Sequence, residues 1–313
     1  MILLDRADVA ALLDEDALLS TLAEAFEAIS TGAVSAPPRG ELRVGEVSRL
    51  LTMPAHMEGR PYATKLVSLF PGNAKAGLPT HVGLIILMDA DTGETLAIMD
   101  GEHITAMRTA GAAVLAAKHL ARSDSRVMTI LGAGVQGQAH LELIRRHFDL
   151  EIILVGSRNA ASAARLAALD ERAVVIGDVE DAVRRSDIVC LCSGAARPLI
   201  LDAWLRPGQH VSSVGYAPPG GELDPRIAAR HKLYVEAKVA FAPAPAGCVE
   251  LAGLDSGTAT ELGEVLLGRR PGRESPDEIT VYKAMGHAVE DLVVADLVYR
   301  RAVERSAGRP IEL

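Results

Sequence analysis

Several residue types are scarce in this 313-residue chain, and each scarcity excludes something. Three cysteines make no disulfide framework, which fits a reducing, cytoplasmic setting. Cys190 and Cys192 stand two apart in the strand-like run 187–192. They read as small apolar residues of a buried strand, since no further Cys or His joins them at zinc-like spacing. Basic residues are outnumbered, 32 Lys and Arg against 41 Asp and Glu, for a formal net charge of -9. That balance argues against nucleic acid or an anionic membrane surface as the main partner. No apolar run approaches the roughly 20 residues of a transmembrane helix. Met1-Ile-Leu-Leu-Asp5 lacks the basic start and long apolar stretch of a secretory leader. Lysine itself is rare, with six in the chain, so a lysine in apolar surroundings stands out. Lys65, within Tyr62-Ala-Thr-Lys-Leu-Val-Ser-Leu-Phe70, is that lysine.

Hydrophobic patterning divides the chain in two. Residues 5–31 read as helix, with Leu12, Leu18, Leu19, Leu22, Ala23 and Phe26 at helical spacing. Residues 41–99 change to short apolar runs between turn signals. Strands are expected at 48–53, 63–70, 81–88 and 94–99, with Asp89-Ala-Asp-Thr-Gly93 a hairpin turn between the last two. An Ala-rich helix is expected over 104–121. Strand and helix then alternate, with strands at 126–131, 151–156, 173–176, 187–192, 210–214 and 232–236. Such alternation implies a parallel sheet covered by helices on both faces. Ser275-Pro276-Asp277-Glu278 has the form of a helix start, with Ser as cap, Pro in the first position and Glu closing a capping box. A long helix is expected from there to about Arg305. The organisation is thus α/β: a mixed α/β domain over 1–120, completed by a returning C-terminal helix (292–313), and a Rossmann domain over 121–291. With 49% apolar residues, both can bury a core.

What is present, and most informative, is Val127-Met-Thr-Ile-Leu-Gly132-Ala-Gly134-Val135-Gln136-Gly137. A short apolar strand runs into Gly-x-Gly-x-x-Gly, and a helix-like segment follows. Gly132 permits a tight turn, Gly134 lets backbone approach a pyrophosphate, and Gly137 lets helix and strand pack closely. The helix N-terminus, with Val135 and Gln136 in its first turn, favours phosphate. A site for NAD(H) commonly ends its second strand in Asp or Glu, which bonds the ribose 2′-hydroxyl. Here the strand 151–156 ends in Ser157-Arg158-Asn159. No carboxylate repels a 2′-phosphate, and Arg158 can pair with one. NADP(H) is therefore the expected cofactor, with NAD(H) as the alternative.

Across nearly its whole length the chain resembles the ornithine cyclodeaminase/mu-crystallin family. The resemblance is carried by Pro37-Pro38-Arg39, Thr64-Lys65-Leu66-Val67, Phe70-Pro71-Gly72-Asn73, Gly77-Leu78-Pro79-Thr80-His81 and Met99-Asp100-Gly101. It continues through Ile104-Thr105-Ala106-Met107-Arg108-Thr109-Ala110, the glycine loop, Glu261-Leu-Gly-Glu264 and Ser275-Pro-Asp-Glu-Ile-Thr280. It implies a homodimer whose first domain carries the dimer interface and the substrate site. It also implies that Arg39, Lys65 and Arg108 hold the carboxylate of a small amino or imino acid. The chemistry agrees: guanidinium gives a planar fork for a carboxylate, and a lysine in an apolar strand has a readily shifted pKa. Plainer readings are a solvated Arg39 and a Lys65 that snorkels from a strand edge. His81 follows a turn that approaches the site in the family, and Gly286 lies in a segment that resembles the family's nicotinamide contact. One departure matters. Cyclodeaminases resemble one another in a Gly-Asp-x-Pro-Gly-Lys-x-Glu-Leu pattern whose Asp meets the distal amine. This chain has Gly215-Tyr216-Ala-Pro-Pro-Gly-Gly-Glu222-Leu223, so Tyr216 stands at the Asp position and lines the expected pocket. Tyrosine supplies no anion at neutral pH. Glu222 and Asp224 read as supporting loop residues. The expected function is reduction of a small cyclic ketimine or imino acid by NAD(P)H. The alternatives are an NAD-dependent ornithine or lysine cyclodeaminase, an alanine-type or opine-like dehydrogenase, and a non-catalytic crystallin-like binder.

Overall fold

The structure is a computed structural model that describes residues 1–312, with Ala74 through its backbone only. Among these residues no helix is long and apolar enough to cross a membrane. The chain forms two compact units, one of 1–108 with 287–313 and one of 109–286.

In the first unit the expected single N-terminal helix is two, α1 (Arg6–Leu12) and α2 (Glu15–Thr31). The break falls where the Asp14 side chain accepts the N–H of Ala17 and starts a new helix. The sheet contains β1 (Ile2–Leu4), β2 (Val34–Ser35), β3 (Gly40–Val44), β4 (Ser48–Met57), β5 (Tyr62–Leu69), β6 (His81–Met88) and β7 (Thr95–Asp100). Its order is the C-terminal strand Arg309–Pro310, then β1, β7, β6, β5, β4 and β2, with β3 pairing on β4. The β6–β7 turn forms as expected: Asp89 accepts the N–H groups of Asp91 and Thr92, and Gly93 takes φ 75°. The C-terminal helix Ala288–Glu304 is buried along most of its length and packs on α2, β4, β5 and β6. The face of the sheet that carries Lys65 is therefore the inner one. The unit ends within α3 (Gly101–Leu120).

The second unit contains β8 (Val127–Leu131), α4 (Val135–His147), β9 (Ile152–Gly156), β10 (Ala173–Val175), β11 (Ile188–Leu191), β12 (His210–Ser213), β13 (Lys232–Val235), β14 (Thr260–Glu261) and β15 (Thr280–Lys283). The order is β10-β9-β8-β11-β12-β15-β13-β14, and every pairing is parallel. The strand order reverses between β8 and β11, and ligands of doubly wound sheets bind at such a switch point. Central strands are buried on both faces, as Ile188-Val-Cys-Leu191 is throughout, which is why they read as unbroken apolar runs.

The helix expected from Ser275 does not form there. Ser275 to Glu278 is an isolated turn, closed by the Glu278 N–H to the Ser275 carbonyl and by the Asp277 N–H to the Ser275 hydroxyl. Thr280-Val-Tyr-Lys283 then becomes β15, wholly buried and paired to β12 on one side and β13 on the other. Ladder pairing on both edges outweighs a local capping signal. The helix starts at Ala288, where His287 and Glu290 make the capping box. Expected domain edges at 120/121 and 291/292 compare with unit edges at 108/109 and 286/287. Ion pairs from Arg108 to Glu290 and Asp291 hold the starts of both helices in the first unit.

The glycine turn sets a test. A Cβ on Gly137 would lie 1.9 Å from the Gly132 carbonyl oxygen, a contact with backbone that no rotamer relieves. Gly137→Ala should cost about 1–3 kcal/mol of stability as an overpacked site, read as a lower Tm by calorimetry. An unchanged Tm would mean that the turn shifts freely.

Candidate functional site

In the first unit, Lys65 sits at the middle of β5, paired to Met53 on β4 and Ile85 on β6. It is 2% exposed, so it does not snorkel. Its Nζ lies 2.7 Å from Asp291 Oδ2 and donates to Thr105 Oγ1 at 3.3 Å. Thr105 in turn donates to the Gly101 carbonyl. Arg108, also on α3, donates through Nε to Asp291 Oδ1 at 3.2 Å and through Nη1 to Glu290 Oε2 at 3.4 Å. The Asp291 carboxylate thus bridges one lysine and one arginine, an oxygen to each. Burial pulls the Lys65 pKa from 10.5 down to about 8; Asp291 opposes the shift, and Arg108 and Arg39 add to it. Burial alone would raise the Asp291 carboxyl, but Lys65 and Arg108 outweigh it and hold the group below 3.8. Lys65 and Arg108 pair with the carboxylates of Asp291 and Glu290, and Arg39 lies near enough to act on Lys65. Cations gathered in this way suit a bound carboxylate. One ammonium proton of Lys65 also has no partner among the described residues, so it is available to a ligand.

Arg39 is half-buried just before β3 and close enough to Lys65 to depress its pKa. His81 opens β6 on the same face of the sheet as Lys65, opposite Leu69, but it is exposed and its Nδ1 pairs with the Thr80 hydroxyl at 3.0 Å.

In the second unit, a cavity of about 460 Å³ opens beside the turn that joins β8 to α4. Gly132, at φ 123°, would place a Cβ 2.3 Å from the Cys192 carbonyl oxygen, so only glycine passes there. A Cβ on Gly134 would meet nothing within 4 Å; that space is open above the start of α4. Gly134 is the N-cap of α4 and offers no side-chain cap, and Val135 behind it is 59% exposed. An uncapped helix start under open space suits a phosphate. Gln136 and Gly137 complete the first turn of α4. Ser157 and Arg158 line the same cavity, and no carboxylate does so among the described residues. The donor set therefore fits a dinucleotide. Tyr216 donates its hydroxyl to the Pro245 carbonyl at 3.2 Å. Gly286, at φ 82°, donates its N–H to the Glu236 carboxylate, so its backbone N–H already has an acceptor. Among the described residues no group of His, Cys, Asp and Glu is placed to hold a metal ion.

Asp291 and Glu290 are the site residues that sequence reasoning passed over. A signal for them exists: two adjacent carboxylates open a helix that continues Leu-Val-Val-Ala. Acids on a buried helix face need cationic partners, and Lys65 and Arg108 needed anionic ones.

The chain is 33% identical to alanine dehydrogenase of Archaeoglobus fulgidus, over 99% of this chain and 98% of that one. It is 36% identical to ketimine reductase mu-crystallin of Mus musculus, over 86% and 85%. The solved structure of Thermococcus litoralis Delta(1)-pyrroline-2-carboxylate reductase in complex with NADH and L-proline superposes with a TM-score of 0.93, at 32% identity, over 99% of this chain and all of that one. The profile of the ornithine cyclodeaminase/mu-crystallin family matches residues 1–306, and the chain belongs to that family.

Proposed function

We propose that this protein is an NADPH-dependent reductase of small cyclic ketimines or imino acids, of the size of pyrroline-2-carboxylate or piperideine-2-carboxylate. The observation that carries this reading is the buried Lys65–Asp291–Arg108 cluster, with Arg39 close to Lys65 and one Lys65 ammonium proton without a partner among the described residues. Arg39 and Arg108 clamp the substrate carboxylate. Lys65, poised near 8, gives a proton to the imine nitrogen as that atom gains electron density. Asp291 keeps the ammonium charged and aimed. The nicotinamide, when bound, supplies the hydride. The glycine turn and the start of α4 hold its phosphates, and Arg158 meets the 2′-phosphate. Relatives at 32–36% identity whose names specify pyrroline-2-carboxylate and ketimine reduction support the substrate class. Tyr216, in place of a carboxylate, weighs against cyclisation of a diamino acid, which needs an anion for its distal ammonium.

The direct test is NADPH oxidation by the purified protein with pyrroline-2-carboxylate and piperideine-2-carboxylate. Rapid protein-dependent oxidation is expected; none with either imine would overturn the reading. Lys65→Ala should lower kcat/KM at least about tenfold, a loss of ~1.4 kcal/mol. The pH profile gives the sign. The ammonium is the proton donor, so kcat/KM for reduction should fall as pH rises through about 8. Amine oxidation should rise over the same range. Lys65→Arg, charged throughout, should abolish that inflection; an inflection that persists would assign it to another group.

The cofactor preference has its own check. Arg158→Ala should raise KM for NADPH about tenfold, the loss of one charge-assisted contact of ~1.4 kcal/mol, and leave KM for NADH nearly unchanged. A wild-type protein that favours NADH would reverse the assignment.

The reading includes a homodimer. On the face of the sheet opposite Lys65, Leu42 pairs with Leu50 and Leu66 with Leu84 in cross-strand register. Leu42 is 60% exposed and Val82, on the same face, 49%. An uncovered apolar sheet face calls for a partner, and a second copy of this chain is the proposed one. Leu42→Glu should shift sedimentation from dimer toward monomer; an unaltered dimer would place the interface elsewhere.

A further inference from the structure

Among the buried ionisable side chains of the second unit, Glu222, Glu250 and Lys283 form a group that lies outside the chemistry above. Charges in such surroundings persist only when each is met by partners. Lys283, at the end of β15, lies 3.0 Å from Glu250 Oε1. It also donates to the Ser213 hydroxyl at 3.2 Å and to the Gly215 carbonyl at 2.8 Å. Glu222 is met by donors from two loops. Its Oε2 accepts the N–H of Ser193 at 2.7 Å and the Ser193 hydroxyl at 2.8 Å. Its Oε1 accepts the N–H of Gly215 at 2.6 Å and the Ser213 hydroxyl at 3.1 Å.

Ser193 follows β11 and Gly215 follows β12, which are adjacent parallel strands. One carboxylate therefore ties together the C-terminal ends of two strands beside the switch point. The first of these loops lines the dinucleotide cavity through Cys192, Ser193, Gly194 and Ala195. The Cys192 carbonyl is also the group against which the Gly132 turn rests. The glycines nearby serve the same network. A Cβ on Gly215 would stand 2.6 Å from the Glu222 carboxylate, and one on Gly221 would stand 2.0 Å from the Glu250 carboxylate. These two glycines make room for buried acids, not for a ligand.

We infer that Glu222 is a positioning residue for dinucleotide binding: its carboxylate fixes the Ser193 and Gly215 loops in the shape the nucleotide requires, and Lys283 supports it through Ser213 and Gly215. This rests on the dinucleotide reading of the cavity. The two oxygens each accept a backbone N–H, which makes the isosteric amide a stringent probe. In Glu222→Gln the NH2 must face either Ser193 or Gly215, and in both orientations one backbone N–H meets a donor instead of an acceptor.

The experiment is titration of NADPH fluorescence with the wild-type protein, Glu222→Gln and Ser213→Ala, with kcat measured at saturating NADPH. Glu222→Gln should raise the Kd for NADPH at least about tenfold and leave saturated kcat within about threefold. A purely structural role would lower Tm and the active fraction without moving Kd in the protein that remains folded. Ser213→Ala removes one donor at Oε1 and one Lys283 contact, and it lies outside the cavity lining. It should raise Kd about threefold, and it decides the matter alone if Glu222→Gln does not fold. Wild-type binding with Kd unchanged in the folded variants would overturn the role of Glu222 and spare the dinucleotide reading. Absence of binding of both NADPH and NADH by the wild-type protein would overturn both.

Discussion

The interaction on which the candidate chemistry depends is the buried bridge from Lys65 through Asp291 to Arg108. A lysine inside an antiparallel sheet is unfavourable by itself, because its charge has lost water. A carboxylate placed between two cations reverses that. Burial brings the ammonium pKa down to about 8, where a proton is easily given up, and the carboxylate opposes that fall and keeps the group charged at neutral pH. Remove the carboxylate, and the two cations would repel across the same space. The C-terminal helix has a second task beyond packing: it delivers Asp291 and Glu290, while its own first turn is capped by His287 and Glu290. One glutamate therefore both caps the helix and meets Arg108.

The second unit solves a different problem with similar means. A nucleotide's phosphates need open backbone donors, so the turn after β8 is stripped of side chains at Gly132, Gly134 and Gly137. A loop stripped in that way is poorly held by its own contacts. Its neighbours supply the rigidity. The β11 loop packs against Gly132, and the buried Glu222 anchors that loop from behind. Charge at the surface of the cavity and charge beneath it thus have separate uses. Arg158 is exposed at the cavity, whereas Glu222 and Lys283 are buried and bond backbone.

Much of this was legible in the chain. Short apolar runs between turn signals gave β4 to β7, and strand–helix alternation gave the parallel sheet, because buried strands and helices leave distinct apolar patterns. The glycine spacing located the turn, and the rarity of lysine drew attention to Lys65. Two features misled. Leu12 through Phe26 keep helical spacing across Leu13 and Asp14, so the break between α1 and α2 was hidden until the Asp14 cap was seen. Ser275-Pro-Asp-Glu278 carries a sound local helix signal, yet Thr280–Lys283 is drawn into the sheet by partners on both sides.

The family resemblance picked out Arg39, Lys65 and Arg108, and the sequence alone determined the class of each unit and the glycine turn. Those follow from local periodicity and residue chemistry, which need no knowledge of distant neighbours. Only the tertiary structure decided which anions answer the cations. Asp291 lies 183 residues from Arg108, and nothing in local spacing links them. The same holds for Glu222, whose sequence position suggests a loop residue and whose burial makes it an anchor. Electrostatic partners inside a protein are chosen by where the chain returns, and burial then makes each choice strong.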